Sequence, residues 1–362
     1  MMFRLIDKYE KIRGFKSYKL QSIFGDVNGH LYVNKDKISD DVDTVSASLK
    51  IHNNFLFFDK NNISYMYDFD RKILHQIGDV RAYIESLEND SFICTYGSIF
   101  SNGKYHWNTG LYDFKEKKLH KEFQELRNIS IIYFLAEKKV IVYPKTNELA
   151  CFSLEIEEYL WQTDLSNRKY LDVWQEEKEA KIQRIIGVYQ NQLIVAFSHE
   201  ELISIDTETG KILWETKDFV KNNLPDWRNQ SQFRFVYWHI ENGKMYQLDG
   251  NIYYSIDLYT QAVEILWKDE REDNYLTIIH KTYTSDYIYF TGSYNHRLQP
   301  HLIGVFNRNT LTVDWVKDMN FNVDSQLGYP PSLNQAPQVD GDKLYVLDTG
   351  HTLHIFEKTK DN

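Results

Sequence analysis

Seven polar residues, Asp68, Asp113, Glu155, Asp206, Asp257, Asn307 and Glu357, each end a short apolar run. The steps between them are 45, 42, 51, 51, 50 and 50 residues. A period of this size in strand-forming text means that one supersecondary unit is copied along the chain, since a single unit cannot bury its apolar faces alone. The cleanest copy is Asn191–Thr216, NQLIVAFSHEELISIDTETGKILWET. Its apolar runs predict antiparallel strands at Leu193–Phe197, Leu202–Asp206 and Lys211–Glu215, preceded by a fourth at Ile182–Val188. Asp206 is placed to accept hydrogen bonds from the backbone of the turn that follows, and Gly210 to take the positive φ of a tight connection.

Naming the four strands of each unit A to D in chain order, seven units follow one another at about 44–77, 80–123, 129–164, 182–216, 233–268, 275–317 and 333–356. The pattern predicts an all-β chain, a single β-propeller of about seven four-stranded antiparallel blades. The last unit has only three strands, so an N-terminal strand is expected to close it and leave no free edge. Phe3–Asp7 and Tyr18–Phe24 both qualify, with Tyr18–Phe24 favoured; otherwise residues 1–43 read as the least regular part. Six prolines and no Pro-, Gly- or Ser-rich linker predict one domain over 1–362.

The stretch Ile203–Glu215, in which a strand ending in Asp leads to a Thr-Gly turn and a Trp-bearing outer strand, resembles the repeat of pyrroloquinoline-quinone-like (quinoprotein-like) β-propellers. Weaker copies are Tyr254–Trp267, Gly304–Trp315 and Phe152–Trp161, while Leu74 and Leu119 stand near the Trp position in the two earliest units. Quinoprotein dehydrogenases usually carry eight blades, a vicinal disulfide and a Ca²⁺ site, and are exported. Cys94 and Cys151 are not adjacent. The resemblance therefore implies a propeller without the quinone, and no cofactor is expected.

Composition narrows the function classes. Hydrophobic residues make up 42% and charged residues 26%, as in a globular chain, and 26 Tyr with 21 Phe suit pleated surfaces. The net charge of −10, without a Lys/Arg block, argues against nucleic acid and anionic membranes and permits a basic protein partner. No run approaches the ~18 apolar residues of a spanning helix. The N-terminus lacks a signal-peptide core, so the expected setting is a reducing cytoplasm.

Strand order sorts the connections. A–B and C–D turns lie at one end of each unit and are short. The long insertions all fall among the B–C and D–A loops at the other end, at Gly97–Thr109, Asp164–Lys181, Lys217–Gln232, Gly292–Pro300 and Asp318–Ser332. They carry His106, Trp107, Tyr170, Trp174, Trp227, Arg228, Tyr294, His296, Arg297 and Tyr329, residue types that anchor interfaces and that also pin loops onto a scaffold. Tyr170–Lys181 is read as a short helix bearing Glu176, Glu177 and Glu179.

No Walker loop, HExxH, CxxC or GxSxG is present. His239 and His280 end the A strands of neighbouring units, but a metal would need a third ligand such as His106 or Glu85, so no metal site is expected. The expected function is a non-catalytic, monomeric module that binds one protein partner through these loops. Its sharpest form is a bacterial immunity protein that covers a cognate toxin. The alternative is a hydrolase or lyase at the central channel using Glu85, Arg234, His239 and His280.

Overall fold

The computed structural model describes residues 2–18, 21–40, 42–44, 50–51, 54–59, 63–78, 80–82, 91–113, 116–135, 138–171, 174–198, 201–216, 239–271, 273–294, 299–322 and 328–359. Among these the chain is all-β, with a single three-residue 3₁₀ turn at Gln124–Leu126. Seven antiparallel sheets have four strands each, and a further sheet includes the 50–78 meander. Two compact units contain them, one formed by residues 1–46 with 237–362 and the other by 47–236.

In the 47–236 unit, the repeat folds as read. Ser130–Leu135, Lys139–Tyr143, Glu148–Ser153 and Glu158–Asp164 form one meander, and Ile182–Tyr189, Gln192–Phe197, Leu202–Asp206 and Ile212–Thr216 the next. Strands B and C are largely apolar because both faces of each sheet are covered: Gln192–Phe197 is buried at every position. Strand D alternates exposed and half-buried residues, as an outer edge does. The core therefore lies between sheets. Ile141, Leu149, Cys151 and Trp161 pack against Val195, Phe197, Ile203 and Ile205 of the following sheet.

The recurring polar residue holds the C–D turn. Asp206 Oδ1 accepts from the backbone N–H of Glu208 (3.1 Å) and Thr209 (2.7 Å). Asp257 does the same for Tyr259 and Thr260, Asn307 for Asn309 and Thr310, and Asp68 for Asp70 and Arg71. Against the opposing effect of burial, the Thr209 hydroxyl and these N–H donors hold the Asp206 carboxyl below the usual carboxylate range, and the N–H donors of Thr260 and Tyr259 do so for Asp257. Trp214 of the D strand donates to Gln192 of its own sheet, at 2.9 Å, and the other three D-strand tryptophans serve the next sheet. Trp161 Nε1 donates to Thr207 O (2.7 Å), Trp267 meets Phe306 edge-on at 5.2 Å, and Trp315 lies 6.0 Å from Phe356.

Gly210 joins these two devices. Its φ is +71°, and a Cβ there would lie 2.8 Å from the Trp161 ring. Gly210→Ala is therefore expected to cost about 2–4 kcal/mol, from the left-handed backbone together with overpacking. Gly250 has φ +54° but open space around a Cβ, so Gly250→Ala should cost about 1 kcal/mol from the backbone alone. Urea unfolding of the two variants measures the difference, and equal losses would remove the Trp161 contact from the explanation.

Within the other unit, the sheets His239–Glu241, Lys244–Asp249, Ile252–Asp257, Val263–Lys268 and Leu276–Tyr283, Tyr287–Tyr294, Leu302–Asn307, Thr312–Asp318 repeat the pattern. Two expectations for the N-terminus are corrected here. Residues 12–39, read as irregular, form a four-stranded sheet of Ile12–Tyr18, Gln21–Asp26, Leu31–Val33 and Asp36–Ser39, packed through Phe15 and Phe24 onto Tyr345 and Ile355. The last sheet, Gln338–Asp340, Lys343–Leu347 and Leu353–Lys358, is closed by an N-terminal strand as expected, but by Phe3–Tyr9 rather than Tyr18–Phe24. Phe3 decides the choice, since it fits between Tyr289 and Trp315 of the preceding sheet, at 6.2 and 5.4 Å.

Candidate functional site

Hydrogen bonds confirm that B–C and D–A connections share one end of the sheets. Asn128, in a D–A connection, accepts from the Trp107 N–H (2.8 Å) and donates its own N–H to Trp107 O (3.1 Å). Asn147, in a B–C turn, donates to Ala180 O (2.8 Å) and accepts from the Ile182 N–H (3.1 Å) in the next D–A connection. In the other unit Gly250 and Ile278 exchange both backbone bonds in the same sense.

At this end of the 47–236 unit, the segment read as the loop Gly97–Thr109 is mostly strand. Ser91–Ser101 and Lys104–Asp113 form one long hairpin, turned at Asn102 (φ 51°) and Gly103 (φ 73°), the conformation that a two-residue Asn-Gly turn requires. The flanking strands stop short of it: Val80–Ala82 pairs only with Cys94–Tyr96, and Lys118–Glu122 only with Gly110–Asp113. Residues 97–109 thus extend beyond the four-stranded sheet as a ribbon. On it Ile99, Phe100 and Tyr105 are 61–64% exposed, and the Phe100 and Tyr105 rings face each other across the strands at 4.8 Å. His106 lies opposite Ile99 in the register. Trp107 is half-buried at the base, tied to Asn128, so it anchors the ribbon rather than tipping it.

The next D–A connection contains a second hairpin, Lys169–Leu171 with Glu177–Glu179, where a short helix was expected. Tyr170 packs its ring on the core between the 130–164 and 182–216 sheets, and alternation then sends Leu171 outward. Leu171 is 62% and Trp174 79% exposed. Arg168 fixes the base. Its guanidinium bonds Glu201, bonds Glu215 at 2.9 Å and lies 5.6 Å from the Phe197 ring centroid. Lys169 pairs with Glu177 and Lys178 with Glu176, both at 2.5 Å, so the acidic side chains of this hairpin are largely neutralised in place.

The remaining expected residues fall elsewhere. Tyr294 is half-buried in the 276–318 sheet, 6.2 Å from the His301 ring, and Tyr329 is exposed. Trp227, Arg228, His296 and Arg297 lie outside the described residues, as do Glu85 and Arg234. His239 stacks on Tyr283 at 5.7 Å, with Nε2 3.4 Å from Glu241. Among the described residues no group of three or more metal-ligating side chains comes together, and no helix is long and apolar enough to cross a membrane.

The structure thus brings Trp174 to the surface with Ile99, Phe100, Tyr105 and Leu171, four residues absent from the sequence reading. The available signal was Asn102-Gly103 between the apolar pairs Ile99-Phe100 and Tyr105-Trp107, the strongest short-range hairpin mark.

No family model and no curated protein matches the sequence. Solved structures do. The computationally designed protein Ika8 is similar with a TM-score of 0.58 at 10% identity, over 98% of each chain. BamB from Moraxella catarrhalis, a PQQ-like β-propeller, is similar with a TM-score of 0.52 at 9% identity, over 100% of this chain and 99% of its own. The C-terminal WD40 domain of Sif2 gives 0.59 at 8% identity, over 99% of each. At these identities the likeness establishes the β-propeller fold, and the quinoprotein-like repeat stands as a resemblance.

Proposed function

We propose that this chain is a non-catalytic protein-binding β-propeller whose partner seats on the 97–109 ribbon and the 169–179 hairpin. The observation that carries this reading is the exposure of Ile99, Phe100, Tyr105, Leu171 and Trp174 on two short β elements with rigid bases. Large apolar side chains on anchored strands lose little conformational freedom on binding, and aromatic side chains dominate interface energetics. β-Propellers commonly serve as interaction scaffolds. The net charge of −10 favours a basic partner, through faster encounter rather than tighter contact. His106, Tyr170 and Trp107 support the two elements; Tyr294, Tyr329, Trp227, Arg228, His296 and Arg297 belong to the wider set of candidate contacts.

The sharper form is an immunity protein in a bacterial cytoplasm that covers a toxin encoded beside it. Co-expression with the product of the neighbouring gene tests it. Growth rescue and a 1:1 complex are expected, with the Phe100→Ser, Trp174→Ser double variant losing at least tenfold in affinity while its urea midpoint is unchanged. A partner retained at full affinity by the double variant would remove these elements from the interface. A neighbouring product without toxicity would remove the immunity form alone.

A further inference from the structure

At the rim between the 239–268 and 276–318 sheets lies a cavity of about 440 Å³. That volume is within the range of small-molecule sites, and it is separate from the two hairpins. Its walls include Trp267, Tyr294 and Trp315, whose own indole packs on Phe3 and Phe356, and three charged groups, Asp269, Arg271 and Asp314.

The charged groups are not equivalent. Asp269 is buried and fully engaged. Its two oxygens accept Arg271 Nε at 2.8 and 3.0 Å, Oδ2 also accepts Arg271 Nη2, and Oδ2 takes the Leu276 N–H at 2.7 Å. The clamp fixes the plane of a guanidinium whose side chain is still 52% exposed, and leaves Nη1 outside these bonds. An arginine oriented this way by a buried carboxylate presents a pre-set donor edge for a carboxylate. Asp314 accepts Thr312 Oγ1 at 2.9 Å on one oxygen and Asn307 Nδ2 at 3.2 Å on the other. These two donors leave it lone pairs to spare.

Asp269 and Arg271 cancel, so Asp314 sets the net charge of the lining at −1, which disfavours a simple anion. We propose that this cavity binds a zwitterionic amino acid with a flat apolar side chain, its carboxylate on Arg271, its ammonium on Asp314 and its side chain against Trp267 and Tyr294. Contact with the aromatic residues Trp267 and Tyr294 favours an aromatic side chain.

Calorimetric titration of the full chain with L-phenylalanine, hydrocinnamate and phenethylamine separates the contributions. L-Phenylalanine should bind saturably and quench tryptophan fluorescence. Hydrocinnamate, lacking the ammonium, and phenethylamine, lacking the carboxylate, should each bind at least tenfold more weakly. Asp314→Asn should erase the preference over hydrocinnamate and keep the preference over phenethylamine. Arg271→Ala risks the fold by stranding Asp269, so Asp314→Asn, at a partly exposed site, carries the decision. Absence of saturable binding by L-phenylalanine, equal affinity for the three probes, or an unchanged preference in Asp314→Asn would each overturn the assignment.

Discussion

Deletion of residues 1–9 is expected to unfold the last sheet and lower the stability of the chain by more than 4 kcal/mol. The loss combines two terms. Phe3 is a buried aromatic held by Tyr289, Trp315 and Phe356, and removing a buried Phe side chain costs about 3–5 kcal/mol by itself. The strand also pairs from Phe3↔Lys358 to Tyr9↔Leu353, so its removal leaves Leu353–Lys358 as an open edge. Open edges pair with other chains, and the truncated protein should aggregate on storage where the full chain does not. Urea unfolding followed by tryptophan fluorescence reports the first effect, because Trp315 lies against Phe3. Hydrogen exchange of the Lys343–Leu347 and Leu353–Lys358 amides reports the second. A synthetic peptide of residues 1–12 should restore protection by mass action. A truncated chain with unchanged midpoint and unchanged exchange would mean that this strand contributes nothing to closure.

The second large effect is expected from Arg308→Ala, about 2–4 kcal/mol. The Arg308 side chain is 6% exposed. It donates to Thr284 O (2.9 Å), Ser285 O (2.7 Å), the Tyr253 hydroxyl (3.2 Å) and Glu241 (2.7 Å), and covers the Tyr246 ring at 5.2 Å. It thereby ties strands of the 239–268 sheet to the A–B turn of the next one. Truncation strands two carbonyls and a tyrosine hydroxyl.

The same cluster sets an acid dependence. Burial, with the Arg308 charge adding to it, lowers the His239 pKa below its ordinary 6.5. The unfolded chain therefore takes up that proton first, and the contribution is complete above pH 6.5 and declines as pH falls below it. The Arg308 hydrogen bond lowers Glu241 below its ordinary 4.5, so its contribution is present above that pH and lost as pH falls through the folded value. Urea midpoints of the wild type should fall from pH 7.5 to 5.5 and again toward pH 4. In Arg308→Ala the second decline should shrink, since the group that depresses Glu241 is gone. An unaltered acid profile would contradict this origin.

How much of this was legible beforehand follows from the range of each interaction. The C–D turn is written in four or five consecutive residues. Asp206, Asp257 and Asn307 reach backbone N–H groups two and three positions ahead, and Gly210 supplies the required φ, so the period and the strands around these turns could be read directly. Glu155 and Glu357 keep the period without this bond, which is why the spacing is a better guide than any one residue.

The candidate site was legible only in part. Trp174 is legible because a large aromatic residue in a long connection between strands stands out. Ile99, Phe100 and Tyr105 are not legible in the same way, because their outward projection follows from a strand ribbon where the sequence reads as a loop. Their exposure depends on where Val80–Ala82 and Lys118–Glu122 stop, a property of the flanking strands and not of the hairpin.

By itself, the sequence determined the repeated meander, its turn chemistry and the need for a strand from the N-terminus, because each rests on contacts within one unit or on a count of strands. Tertiary structure decided which strand closes the last sheet and which apolar residues face solvent. Those outcomes depend on contacts beyond the unit or strand concerned: Phe3 fits against Trp315 at 5.4 Å, three hundred residues on, while Phe15 and Phe24 belong to another sheet, and the ends of Val80–Ala82 and Lys118–Glu122 leave the ribbon uncovered.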